Sequence, residues 1–241
     1  MTNNPASPLT EPVSTKISRA EIDVGLRQFL LGVYNYMASG LALTGFVAYG
    51  AAETGFYAAL VKTPLLFWGV VLAPLALVLL LSFRIEKMSL GAAQASFWAY
   101  AGLVGLSLSG IFLIYTGTSI ARTFFITAAT FLAMSLYGYT TRTDLSRFGS
   151  FLLMGLIGII IASLVNMFLA SSALQLAISV IGVIAFVGLT AYDTQRIKDG
   201  YFEVMGDATA TAKAAIMGAL NLYLDFINMF VMMLQLFGNR E

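Results

Sequence analysis

Seven apolar stretches follow one another along this chain, at about residues 28–51, 64–83, 92–115, 123–140, 149–169, 173–192 and 214–237, and Asp225 is the only acidic residue inside them. Each approaches the roughly 20 residues that a helix needs to cross a bilayer. Hydrocarbon offers no partner to open backbone amides, so segments that cross it must be helical. The pattern predicts an all-α membrane protein of seven transmembrane helices. Only Ala170 to Ser172 separate the fifth stretch from the sixth. These two form a tight hairpin, with a broken element at that point as the alternative.

Ahead of the first stretch, Met1 to about Ala20 carries Pro, Ser, Thr and Asn without an apolar run. That composition reads as a disordered tail, and it lacks the apolar core and cleavage site of a signal peptide. An amphipathic lead-in, Ala20 to Arg27, joins it to the bundle. Residues 1–26 are thus a tail with its lead-in, and residues 27–241 a membrane domain.

Basic residues orient the bundle. Lys16, Arg19, Arg27, Arg84, Lys87, Arg142, Arg147, Arg196, Lys198 and Lys213 fall on one side of the seven spans, and Lys62, Arg122 and Arg240 on the other. The excess belongs in the cytoplasm by the positive-inside rule. The amino terminus is then inside and the carboxy terminus outside.

Composition narrows the chemistry. Hydrophobic residues make up 59% of the chain and charged ones 10%, against roughly a quarter in soluble domains, so the missing solvent is lipid. The net charge of +1 supplies no basic excess for nucleic acid. The chain has no cysteine and no histidine, which removes thiolate chemistry, disulfides and a serine–histidine protease. No enzyme and no cofactor is expected. Carboxylate chemistry and hard, oxygen-ligated cations such as calcium are left.

Small residues recur every fourth position at Gly40, Thr44 and Ala48, and again at Ala101, Gly105 and Ser109. That spacing lets helix backbones approach closely in lipid. Pro74, inside the second stretch, is a candidate kink.

Asp225 lies about twelve residues into the last stretch, near mid-membrane at 1.5 Å per residue. Asn221 precedes it by four residues, Asn228 follows by three, and Gln235 follows seven later. These share one helix face. A polar stripe cannot face lipid, so the last helix is expected at the centre of the bundle. Asp193, in Ala191-Tyr192-Asp193-Thr194-Gln195, ends the sixth stretch. Antiparallel packing of the last two helices would bring both carboxylates to one depth.

Two carboxylates a few ångströms apart in low dielectric cannot both ionise easily, so they share one proton over some window of pH. The deprotonated pair suits a divalent cation and the protonated pair does not. A purely structural, hydrogen-bonded pair is the alternative. Arg84 closes the second stretch, followed by Ile85, Glu86 and Lys87. It either reaches inward as a latch on a carboxylate or snorkels at the surface, and snorkelling is the plainer reading.

Tyr192-Asp193-Thr194-Gln195, together with Leu222-Tyr223-Leu224-Asp225-Phe226-Ile227-Asn228-Met229-Phe230, resembles the signature of the Bax inhibitor (transmembrane Bax inhibitor motif) family, bacterial branch. The resemblance covers roughly residues 27 to 238. It implies a seven-helix fold with the last helix surrounded by the others. It also implies a pH-regulated calcium leak channel of the bacterial inner membrane, with calcium as the transported ion and no cofactor. On that pattern Asp193 and Asp225 are the gating dyad and the calcium-binding pair, and Arg84 is the closed-state latch. Glu86 interrupts the basic run common in the family, which leaves Lys87 as an alternative latch.

Two rivals stand beside this reading. An intramembrane aspartyl protease needs a Gly-x-Gly-Asp motif, and Tyr223-Leu224-Asp225 lacks it. A non-conducting regulator would use the tail to bind a membrane-bound protease or another membrane protein. A transporter would be expected to show internal repeats, and none is visible.

Overall fold

The computed structural model describes residues 19–240, with side chains from Ile22 onward. Up to residue 18 the expected tail lies outside the described residues. The rest is helical: α1 (Arg19–Glu53), α2 (Phe56–Val61), α3 (Pro64–Arg84), a 3-10 turn (Ile85–Lys87), α4 (Leu90–Leu108), α5 (Ile111–Ile114), α6 (Gly117–Thr140), α7 (Ser146–Leu169), α8 (Ser172–Val204) and α9 (Ala208–Phe237). Among the described residues, seven spans are long and apolar enough to cross a membrane, one for each apolar stretch.

The helices outrun the stretches that predict them, because a helix leaving hydrocarbon continues into the polar zone. The lead-in Ala20 to Arg27 is the start of α1 rather than a separate element. The fourth span begins at Gly117, where the Thr116 hydroxyl accepts from the Ser119 amide at 3.3 Å. Arg122, placed outside the membrane by the sequence pattern, therefore sits within α6, exposed, where its stem can lift the charge to the interface. At α9 the Asp207 carboxylate accepts from the amides of Thr209 and Ala210 at 2.7 and 3.1 Å, a charged cap on two amides that lack intrahelical partners.

The α7–α8 hairpin has no broken element. Ala170 takes the left-handed conformation, φ 49° and ψ 34°, which lets one residue reverse the chain. The Asn166 side chain accepts from the Ser171 amide at 2.9 Å, and the Ser171 hydroxyl accepts from the Leu174 amide at 3.3 Å.

Helix α9 is the core. It packs on α8, α1, α6 and α4, while α3 lies chiefly against α4 and α7 against α8. Its side chains Ile216, Leu220, Leu222, Tyr223 and Met229 are fully buried. The two small-residue stripes meet between α1 and α4. A methyl at Gly105 would lie 2.7 Å from the Thr44 carbonyl oxygen, and one at Gly40 would lie 2.9 Å from the Phe97 ring. The Thr44 hydroxyl donates to the Ala101 carbonyl at 2.9 Å, so the Tyr223 hydroxyl, 2.6 Å away, must donate to it. One threonine thus joins α1, α4 and α9.

Pro74 has a partner that the sequence pattern does not reveal. Proline lacks the amide that would bond the carbonyl four residues back, which here is Val70. The Ser107 hydroxyl of α4 reaches that carbonyl at 3.0 Å. The polar group freed inside lipid is therefore satisfied by a neighbouring helix, as hydrocarbon requires.

Candidate functional site

The short turn from Met205 to Asp207 returns the chain so that α8 and α9 run antiparallel and in close contact. This brings Asp193 and Asp225 together: their carboxyl groups lie within hydrogen-bonding reach of one another. Asp225 is 4% exposed, and its Oδ2 is buried without a hydrogen-bond donor. Two carboxylates are acceptors only. A single proton shared between them would supply the missing donor.

The pair faces a cavity of about 610 Å³ lined by α7, α8, α9 and Leu75 of α3. Asn221 and Asn228, the expected stripe of the last helix, line it with the two aspartates. The Asn228 side-chain amide donates to the Leu224 carbonyl of its own helix at 2.8 Å, which leaves its amide oxygen available. The cavity thus gathers two carboxylates, two carboxamides and the Arg196 guanidinium among largely apolar walls.

Each side chain of the Tyr192-Asp193-Thr194-Gln195 motif reaches a different element. Tyr192 lies over Gly149 of α7, where a methyl would come within 2.6 Å of the ring. Asp193 meets α9. The Thr194 hydroxyl sits 3.0 Å from that of Ser135 on α6, and Ser135 in turn bonds Tyr34 of α1. Gln195 holds the α6–α7 loop, accepting from the Leu145 amide at 2.8 Å and donating to the Thr143 carbonyl at 2.9 Å. Behind the motif, Gly138 of α6 presses on the Ala191 backbone. The segment that carries Asp193 is therefore held by α6, α7 and their connecting loop, and Asp193 itself lines the cavity.

The second motif is anchored likewise. Tyr223 bonds Thr44, and Phe226 stacks edge-on against Phe124 and Phe131 at 5.5 and 5.6 Å between centroids. This fixes the rotation of α9 that aims Asp225 at Asp193.

Arg84 and Lys87 are not brought to the pair. Both are exposed at the end of α3 and in the turn after it, and neither lines the cavity. The turn is tied instead to α9, where the Lys213 ammonium donates to the Glu86 carbonyl at 2.9 Å. The arginine head stays in the polar zone, as a long aliphatic stem allows. The cation that lines the cavity with the carboxylates is Arg196. It lies three residues after Asp193 and so on the same helix face. That spacing was its signal in the sequence, masked by its role in counting charge.

No group of three or more Asp, Glu, His or Cys residues that could hold a metal occurs among the described residues.

The chain matches the sequence profile described as inhibitor of apoptosis-promoting Bax1 over residues 26–241. It is 52% identical over 219 residues to the inner membrane protein YbhL of Escherichia coli strain K12, covering 90% of this chain and 94% of that one. It is 49% identical over 242 residues to an uncharacterized protein of Rickettsia prowazekii, covering 96% and 98%. A match at 37% identity over 225 residues, to an uncharacterized membrane protein of Streptococcus pyogenes, covers 91% and 96%. With the profile spanning nearly the whole bundle, this chain belongs to the Bax inhibitor family of membrane proteins.

Proposed function

We propose that this protein is a calcium leak of the bacterial inner membrane, its amino terminus cytoplasmic, whose conduction depends on protonation of the Asp193–Asp225 pair. The observation that carries the proposal is the geometry of the pair. Two carboxyl groups lie together, the Asp225 Oδ2 buried without a hydrogen-bond partner, and they line a cavity with Asn221 and Asn228.

The sign follows from competition. A proton and a divalent cation both satisfy the pair, and they cannot do so together. Lowering the pH fills the pair with protons and weakens its hold on calcium. Raising the pH leaves two carboxylates that attract calcium. Arg196 lines the same cavity and offsets part of that negative charge. A latch role for Arg84 or Lys87 would require either to swing inward from its exposed position.

The test uses purified protein in liposomes loaded with a calcium-sensitive dye, over a range of about pH 5 to about pH 8. Calcium entry should exceed that of empty liposomes and rise with pH. Entry equal to that of empty liposomes at every pH would make the aspartates a structural pair and favour a non-conducting regulator of other membrane proteins.

A further inference from the structure

The face of α9 that carries Asp225 runs on past the site already described. Positions 221, 225, 228, 232 and 235 follow at steps of four and three, one line along the helix. Four of the five are polar, Asn221, Asp225, Asn228 and Gln235; the fifth is Met232. On one side of Met232 lies the cavity with the carboxylates. On the other lies a second cavity of about 370 Å³, lined by Asn166, Gln175, Ser179 and Gln235, by the Ala170–Ser171 turn and by Arg240 at the chain's carboxy-terminal end.

The second cavity is a built polar chamber. The Gln175 amide donates to the Gln235 side-chain oxygen at 2.7 Å, the Ser179 hydroxyl donates to the same oxygen at 2.9 Å, and the Asn166 amide donates to Gln175 at 3.1 Å. Both cavities are lined chiefly by α7, α8 and α9.

Between the two chambers the packing is apolar. Ile159 of α7 with Ile178 and Ala185 of α8 forms a small buried cluster separate from the main core, and Met232 packs against it. The Met232 sulfur rests on Gly182, where a methyl group would lie 2.6 Å from it. Asn228 and Gln235 are seven residues apart, about 10 Å along the helix at its ordinary rise, so the barrier is about two turns thick.

We infer that Met232, seated on Gly182, is an apolar seal between two polar half-pathways, and that the route through α7, α8 and α9 opens and closes there. Polar side chains hold water on either side, whereas an apolar constriction excludes it and with it any ion. An unbranched thioether is suited to the task, because it changes rotamer easily and can leave Gly182 without moving the backbone. This inference rests on reading the route between these helices as that of calcium, yet its test does not need calcium.

The chain has no cysteine, so a single introduced thiol is the only one present. Asn228→Cys and Gln235→Cys would each be made in the full chain, in sealed vesicles, and exposed to a charged, membrane-impermeant thiosulfonate from either side. With Met232 in place, Asn228→Cys should react only from the side of Arg196, and Gln235→Cys only from the opposite side. Adding Met232→Ala should speed the reaction of Asn228→Cys from the Gln235 side by about tenfold or more, as loss of a dewetted constriction implies. Met232→Leu should keep the parent pattern.

If Met232→Ala fails to preserve the labelling of Gln235→Cys, the fold is disturbed, and Met232→Gln, similar in length with a polar tip, replaces it under the same expectation. Asn228→Cys reacting freely from the Gln235 side while Met232 is present would overturn the seal, as would no change on removing the methionine. Labelling that changes as expected without calcium entry in any variant would uphold the seal and refute the leak. Calcium entry without a change in labelling would do the reverse.

Discussion

Asp225→Asn should hold calcium entry at one low level from about pH 5 to about pH 8, where entry through the parent protein rises by about tenfold or more. An asparagine keeps the size of the side chain and so the packing around it. It cannot ionise, and its amide donates a hydrogen bond to Asp193 at every pH. The site then holds one carboxylate with Arg196 beside it, and the attraction for a divalent cation is lost. Stability should move the other way. Replacing one of two opposed carboxylates by a donor relieves their repulsion, and exchanging buried charges for satisfied neutral groups is often neutral or stabilising. A melting temperature in detergent at or above that of the parent, with flat flux, separates loss of the site from loss of the fold.

Gly138→Ala should be among the most damaging single-methyl changes in the protein. The added methyl would lie 2.2 Å from the Ala191 carbonyl oxygen and 2.9 Å from its carbonyl carbon. These are backbone atoms, and no side-chain rotamer relieves the clash. Helices α6 and α8 must separate, which also strains the bond between Ser135 and Thr194 one turn away. Overpacking of this kind costs roughly 3 kcal/mol, the upper part of its usual range. Gly155→Ala on α7, with nothing within 4 Å of the new methyl, should leave the melting temperature unchanged or slightly raised. Ala191 is two residues from Asp193, so the Gly138 variant should also blunt the pH dependence. Equal melting temperatures for the two variants would refute the close approach.

Much of the bundle was legible because lipid imposes strict periodicity and length. Each of the seven apolar stretches forms one span, the third divided between α4 and α5, and the stripe of Asn221, Asp225 and Asn228 points correctly to α9 as the central element. The pairing of Asp193 with Asp225 was legible for a similar reason: a short connection forces α8 and α9 to be neighbours, and charge inside hydrocarbon seeks company.

What stayed hidden depends on tertiary contact. Gly138 looks like any other glycine of a membrane helix until Ala191 lies across it. The bond from Ser107 to Val70 needs the angle between α3 and α4, which Pro74 alone does not give. Helix ends lie beyond the apolar stretches where charged turns continue a helix past the bilayer, as at Arg19 and Val204. Arg84 drew attention because it ends a span, whereas Arg196 lines the cavity because of its three-residue step from Asp193. Distance to a carboxylate is a property of helix phase, not of span boundaries.

Whether the two aspartates act as one proton-sharing unit is best measured by a double-mutant cycle read on the pH dependence of calcium entry. Asp193→Asn, Asp225→Asn and the double variant would be compared with the parent in the same liposomes. Groups that act as a unit are non-additive: each single substitution should remove the pH dependence, and the double variant should differ from neither. Two singles that each remove part of the dependence, with a double that removes the sum, would show independent groups and contradict a shared proton.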